Sequence, residues 1–193
     1  MTNQPSPNRR GMTTKTLAYC ALLAALSVVL ARLFNLMPNE STRFSIEAVP
    51  IFLAGMLFGP LSGGLVGFAA DFVGCLFSPY GYNPIFCVPP ILYGVFGGLF
   101  RYYLNNGVNP LRLTLSFLPP VILGSILYQS CTLAYMYYDG VFFQGLIYYL
   151  STRSVQFAIT LVLDVLIIYL LFQAGIFRRI GIWPLRRKEK KPE

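Results

Sequence analysis

The chain has 193 residues, 55% of them hydrophobic and 11% charged, and 15 Lys/Arg against 7 Asp/Glu leave a formal charge of +8 with no histidine. A soluble domain carries about 25% charged residues, so this composition cannot cover a water-facing surface and indicates an integral membrane protein of one compact domain. Lack of histidine removes the commonest general base, the commonest metal ligand and every Ser-His or Cys-His catalytic arrangement. No metal or cofactor is expected, and nucleic acid is not expected as a partner because little soluble chain is left to present the basic residues.

An apolar run of roughly 20 residues is enough to cross the hydrocarbon core, and six candidates follow one another. The first covers residues 16–34, and Arg32-Leu33-Phe34 at its end does not resemble a small-residue cleavage site, so it reads as a retained helix. The second and third, 46–58 and 61–77, are separated by Gly59-Pro60 alone, which demands a tight turn between antiparallel neighbours. The fourth covers 85–104. The fifth, 113–137, has no charge but contains Pro119-Pro120, which should kink it or delay its start. The sixth runs over 145–177. The expected architecture is therefore all-α, a polytopic bundle of six transmembrane helices over 13–177. A disordered cytoplasmic segment, 1–12, precedes it and a basic cytoplasmic tail, 178–193, follows.

Charge sets the orientation. Six spans put both termini on one side together with the 105–110 loop. That side collects every Lys and Arg except Arg32, Arg43 and Arg153. Both termini are therefore expected in the cytoplasm, in a multi-pass protein of the cell membrane. No lysine lies between Lys15 and Lys188, so there is no GxxxxGK[ST] phosphate loop, and any transport would need power from outside the chain. Enzyme activity is not expected, since no nucleophile–base pair is visible. Cys20, Cys75, Cys87 and Cys131 have no CxxC spacing and read as small membrane fillers, a Cys75–Cys87 bridge being the one disulfide the loop geometry leaves open.

Polar residues then mark an outer face. The segment 77–86 carries Pro79 and Pro84, Gly81, the rings of Tyr80, Tyr82 and Phe86, and the Asn83 amide. It is either an interfacial loop with aromatics at headgroup level or a stiff lid over a small-molecule pocket. Asp71 extends the small-residue row Gly63, Gly67, which lets another helix approach closely and turns Asp71 into the bundle. It is either a structural partner for an arginine or an acceptor for ligand N–H groups. Arg43 and Glu47 are four apart at the expected start of helix two, with Phe44 between, and should share one helical face. On the sixth helix, Arg153, Gln156, Thr160 and Asp164 make a polar stripe, with Arg153 near the outer end and suited by its planar fork to a carboxylate. Ala21 and Ala25 form an AxxxA patch on the inner half of helix one, fit either for packing within the bundle or for docking a second membrane protein.

Ala21/Ala25, Pro50, Ala54-Gly55-Met56-Leu57-Phe58-Gly59-Pro60, Gly63, Gly67 and Asp71 together resemble the substrate-binding S-components of energy-coupling factor vitamin transporters. Arg43 and the PxGxYxPxF loop at Pro79, Gly81, Tyr82, Pro84 and Phe86 are similar to the folate branch. The resemblance implies a high-affinity binder of folate from the extracellular side. It also implies a bacterial plasma membrane and an assembly with a transmembrane coupling protein and two cytoplasmic ATPases. Binding residues are then expected among Arg43, Phe44, Glu47, Asp71, Tyr80, Tyr82, Asn83, Phe86, Arg153 and Gln156, with Ala21 and Ala25 as the docking patch. Glu47 stands where folate members are apolar, which keeps open another vitamin or precursor with extra donors. A structural membrane subunit without ligand is the other alternative.

Overall fold

A computed structural model describes residues 13–33, 36–39, 42–44, 46–77, 83–137 and 140–179. Helix α1 (Thr14–Leu33) leads into a short antiparallel hairpin, β1 (Leu36–Asn39) and β2 (Thr42–Phe44). Leu36 pairs with Phe44 and Asn39 with Thr42, with an irregularity between the two pairs. Helices α2 (Ala48–Phe58) and α3 (Pro60–Leu76) follow. A 3-10 turn, Pro84–Cys87, opens α4 (Val88–Leu99), and α5 (Arg101–Asn105) continues it after a break at Phe100. Then come α6 (Pro110–Pro120), a π-helical stretch Val121–Tyr128, α7 (Gln129–Tyr137), α8 (Phe142–Gln173) and the single turn α9 (Ile176–Arg179).

Among the described residues three helical segments are long and apolar enough to cross a membrane, Thr14–Arg32, Pro110–Met136 and Phe142–Gln173. Three shorter apolar helices, Ala48–Phe58, Pro60–Leu76 and Pro84–Leu99, stand where the second to fourth segments were expected. Among the described residues the regular structure is helical except for the hairpin. Segment 1–12 and residues 180–193 of the basic tail lie outside the described residues.

Local chemistry accounts for the boundaries. Gly59 has φ 108°, a conformation closed to most L side chains, and Pro60 at the first position of α3 needs no N–H partner there. The reversal between α2 and α3 therefore takes one residue. Of the two outcomes expected from Pro119-Pro120, a kink or a late start, the late start is not seen. The helix starts earlier, at Pro110, and the two missing N–H groups are absorbed by the π-helical register that begins at Val121.

Helices α2, α3 and α4 form the tightest part of the bundle. A Cβ placed on Gly94 would overlap the Gly63 carbonyl, and one on Gly55 or Gly63 would overlap the Gly94 carbonyl. With apolar surround on both sides of the membrane-type bundle, close packing rather than hydrophobic transfer holds such helices together. Helix α1 lies against α2 and α3, while α8 crosses α6, α7, the π-helical stretch and the edge of α2. Phe52 of α2 and Phe117 of α6 join the two halves with ring centroids 3.9 Å apart at 23°. Both rings are fully buried, and truncating either to alanine would cost about 3–5 kcal/mol.

Candidate binding site

The buried face of α8 presents Arg153, Gln156, Thr160 and Asp164 in one row. Each is turned away from the apolar exterior formed by Val155, Ile159, Val162 and Leu163. Helix α8 begins at Phe142, so Arg153 lies about 16 Å along it and Asp164 a further ~16 Å, at 1.5 Å per residue.

Arg153 is only 9% exposed. Its Nη1 donates to Gln129 Oε1 at 2.8 Å and to the Ser125 carbonyl at 3.4 Å, and its guanidinium lies over the Phe157 ring at 5.6 Å. Nε of the same residue is buried with no hydrogen-bond partner. Thr160 turns its hydroxyl back onto the Gln156 carbonyl at 3.0 Å, a local exit that threonine has inside helices. Asp164 is 2% exposed, and its Oδ1 has no hydrogen-bond partner. Across from this row the Tyr93 hydroxyl of α4 meets the Ser125 hydroxyl at 3.0 Å. Tyr93, Ser125 and Gln129 were not singled out from sequence. The signal available was Ser125 and Gln129, four apart in an otherwise apolar segment.

A second polar region lies between α1, α3 and the start of α2. A cavity of about 80 Å³ is lined there by Ser27, Arg32, Glu47, Asp71 and Cys75 among others. The Arg32 guanidinium donates to the Gly74 carbonyl in the last turn of α3, and Ser27 Oγ donates to the Glu47 carbonyl at 2.8 Å. Arg32, one of three arginines left unexplained by charge distribution, thus ties the end of α1 to the negative end of the α3 dipole. Ligand pockets for drug-sized molecules occupy about 300–1,000 Å³, so this cavity alone holds a few waters rather than a vitamin.

Other expected positions sort differently. Arg43 does not share a helical face with Glu47: it lies with Phe44 on β2, while Glu47 is the residue before α2, so the i, i+4 relation has no helix to act through. The physical reason is the hairpin, which straightens the chain before helix two starts. Strand β2 packs against α8. Asn83 caps the 3-10 turn, its Oδ1 accepting from Ile85 N at 3.1 Å and its Nδ2 reaching Met136 Sδ at 3.8 Å. Phe86 is half-buried in that turn. Tyr80 and Tyr82 lie outside the described residues. Ala21 and Ala25 are exposed on α1, beside exposed Leu22 and Leu26, so packing within the bundle is not their role. All four cysteines are free, and Cys131 is exposed rather than a core filler.

Apolar outside and polar along one inner row, the bundle has the makeup of an integral membrane protein built around a polar interior. The family model described as ECF-type riboflavin transporter, S component, matches residues 11–176, and the chain belongs to that family. A curated relative, the folate transporter FolT of Clostridium novyi (strain NT), is 31% identical over 99 residues, 51% of this chain and 56% of the relative. The chain therefore matches little more than half the length of that relative. A crystal structure of FolT bound with folic acid superposes with a TM-score of 0.71 at 26% identity, covering 94% of this chain and 100% of that one. The S-component for biotin from an ECF-type ABC transporter shares the fold, with a TM-score of 0.62 at 18% identity over 84% of this chain and 95% of that one.

Proposed function

We propose that the chain is the high-affinity substrate-binding subunit of an ATP-driven importer, taking up folate from the outer side of a bacterial plasma membrane. The observation that carries this reading is the likeness to FolT with folic acid, which extends over nearly the whole chain and all of the solved one. In this reading the membrane is crossed six times with both termini inside. The site is made by the hairpin (Arg43, Phe44), the start of α2 (Glu47), α3 (Asp71), the segment between α3 and α4 (Tyr80, Tyr82, Asn83, Phe86) and α8 (Arg153, Gln156). A pterin offers a flat face to the aromatic rings and a donor–acceptor edge to the acids, and its glutamate tail offers carboxylates to Arg43 and Arg153. The exposed Ala21/Ala25 face of α1 is the surface for the transmembrane coupling protein, which would link the subunit to two cytoplasmic ATPases.

A second reading, riboflavin, is favoured by the description of the matching family. Riboflavin shares the flat heterocycle with an N–H edge but carries a neutral ribityl chain instead of carboxylates. Titrating the purified protein with folate, riboflavin and biotin separates the two. Folate should bind with a Kd in the nanomolar to low-micromolar range, about −8 to −12 kcal/mol. Heat or fluorescence change with riboflavin alone would replace folate by riboflavin, and no response to any vitamin would reject the binding role.

A further inference from the structure

We propose that Asp164 is a specificity-determining residue at the inner end of the ligand site, where its carboxylate accepts hydrogen bonds from ring N–H groups of the bound heterocycle. This rests on the vitamin-binding reading and assigns the ligand's donor edge to a residue outside the positions named above.

The argument starts from what a buried carboxylate requires. An ionised Asp is an acceptor with two oxygens and no donor, and burying it without partners is among the costliest arrangements in a bundle interior. Along the α8 row Arg153 Nε and Gln156 Oε1 are likewise buried without a hydrogen-bond partner, whereas the Arg153 Nη1 and the Thr160 hydroxyl have acceptors. Arg153 is held by Gln129 and Ser125, and Thr160 closes on its own helix. Asp164 Oδ1, at the deepest point of the row, accepts nothing. While it is ionised, the side chain has no hydroxyl with which to bond back to its helix, and a donor to Oδ1 must come from elsewhere.

Among the described residues no donor reaches Asp164 Oδ1. Glu47 from the start of α2 and Tyr93 from α4 are within electrostatic range of Asp164. Glu47 is itself an acid, and the Tyr93 hydroxyl shares a 3.0 Å contact with the Ser125 hydroxyl in which either oxygen can donate. Three elements thus converge on an acceptor-rich spot that calls for a neutral or cationic N–H edge, such as an aminopyrimidinone. Arg153, a donor-only group, stands about 16 Å away along the same face of α8. Donor-seeking at one end and anion-seeking at the other, the row matches an elongated ligand with an N–H-rich heterocycle and a carboxylate tail. It fixes the orientation as well, with the ring at Asp164 and the tail at Arg153.

The test uses the purified full-length protein in detergent and follows ligand binding by calorimetry and unfolding by temperature. The ligands are folate and a folate analogue with methyl in place of the ring 2-amino group. Asp164→Asn should weaken folate about 10- to 100-fold, since hydrogen bonds to a charged acceptor are the strong ones, while changing affinity for the analogue far less. Asp164→Leu should do the same to folate, and both variants should unfold no lower than wild type because an unsatisfied buried carboxylate has been removed. Wild-type affinity in Asp164→Asn, equal losses for both ligands, or variants that fail to fold would each overturn the assignment while leaving the vitamin-binding reading standing. Absence of binding of any vitamin by the wild-type protein would overturn both.

Discussion

Arg153 of α8 donates a 2.8 Å hydrogen bond to the side-chain oxygen of Gln129 at the start of α7. Gln129 follows directly on the π-helical stretch Val121–Tyr128, whose Ser125 gives the same guanidinium a carbonyl. The buried cation therefore draws both its acceptors from one face, at positions four apart where the π-helical stretch meets α7.

Removing Gln129 should expose this dependence. Gln129→Ala leaves a buried guanidinium short of an acceptor and should destabilise the fold by about 1.5–3 kcal/mol. Thermal unfolding in detergent reads the change. An unaltered unfolding temperature would mean that Arg153 finds another partner without loss.

Arg153→Ala should distinguish the tail contact from general packing. Intact folate should bind at least tenfold more weakly, whereas a pterin without the glutamate should bind nearly as it does to wild type. Equal losses for the two ligands would reject Arg153 as the carboxylate partner.

The glycine contacts between α3 and α4 make a sharper stability prediction. Gly94→Ala drives a methyl into the Gly63 backbone, and overpacking of this kind costs about 1–3 kcal/mol or more, beyond the ~1 kcal/mol that alanine gains in a helix. Gly74→Ala is the control: nothing lies within 4 Å of the added carbon. It should be neutral or mildly stabilising. Comparable losses in both would show that flexibility, not contact, is what these glycines provide.

On the exposed face of α1, Ala21→Trp and Ala25→Trp should leave vitamin binding intact, since neither side chain faces the bundle interior. Co-purification with the coupling protein and ATPases should fall sharply. Full recovery of the assembly from the double variant would move the docking surface elsewhere.

Much of the helical frame was legible because its signals are local. Gly59-Pro60 marks the α2–α3 reversal without reference to anything else, and long, mainly apolar runs delimit α1 and α8. The polar stripe on α8 was legible too, since helical spacing alone puts Arg153, Gln156, Thr160 and Asp164 on one side. The hairpin was not. Its strands, four and three residues long, are too short to show alternation, and Pro38 within β1 argues against strand on local grounds. Nor was the register change after Pro120 legible, because a π-helical stretch depends on how neighbouring helices accommodate two missing donors. Tyr93 and Ser125 escaped notice for a related reason: one hydroxyl on α4 and one on the π-helical stretch become a pair only when the helices are assembled.

The contact between α3 and α4 also bears on how the molecule can move. Backbone meets backbone at Gly63 and Gly94, so no rotamer change can absorb a small relative slide, as it can where leucines interdigitate. The two helices, with α2 clamped beside them through Gly55, behave as a keel that shifts as a whole or not at all. Opening and closing around a ligand then falls to the parts that rest on the keel without interlocking with it, α1 with its hairpin and the long α8. A pair of spin labels on α2 and α4 should report one fixed separation with and without vitamin, while a pair on α3 and α8 should not.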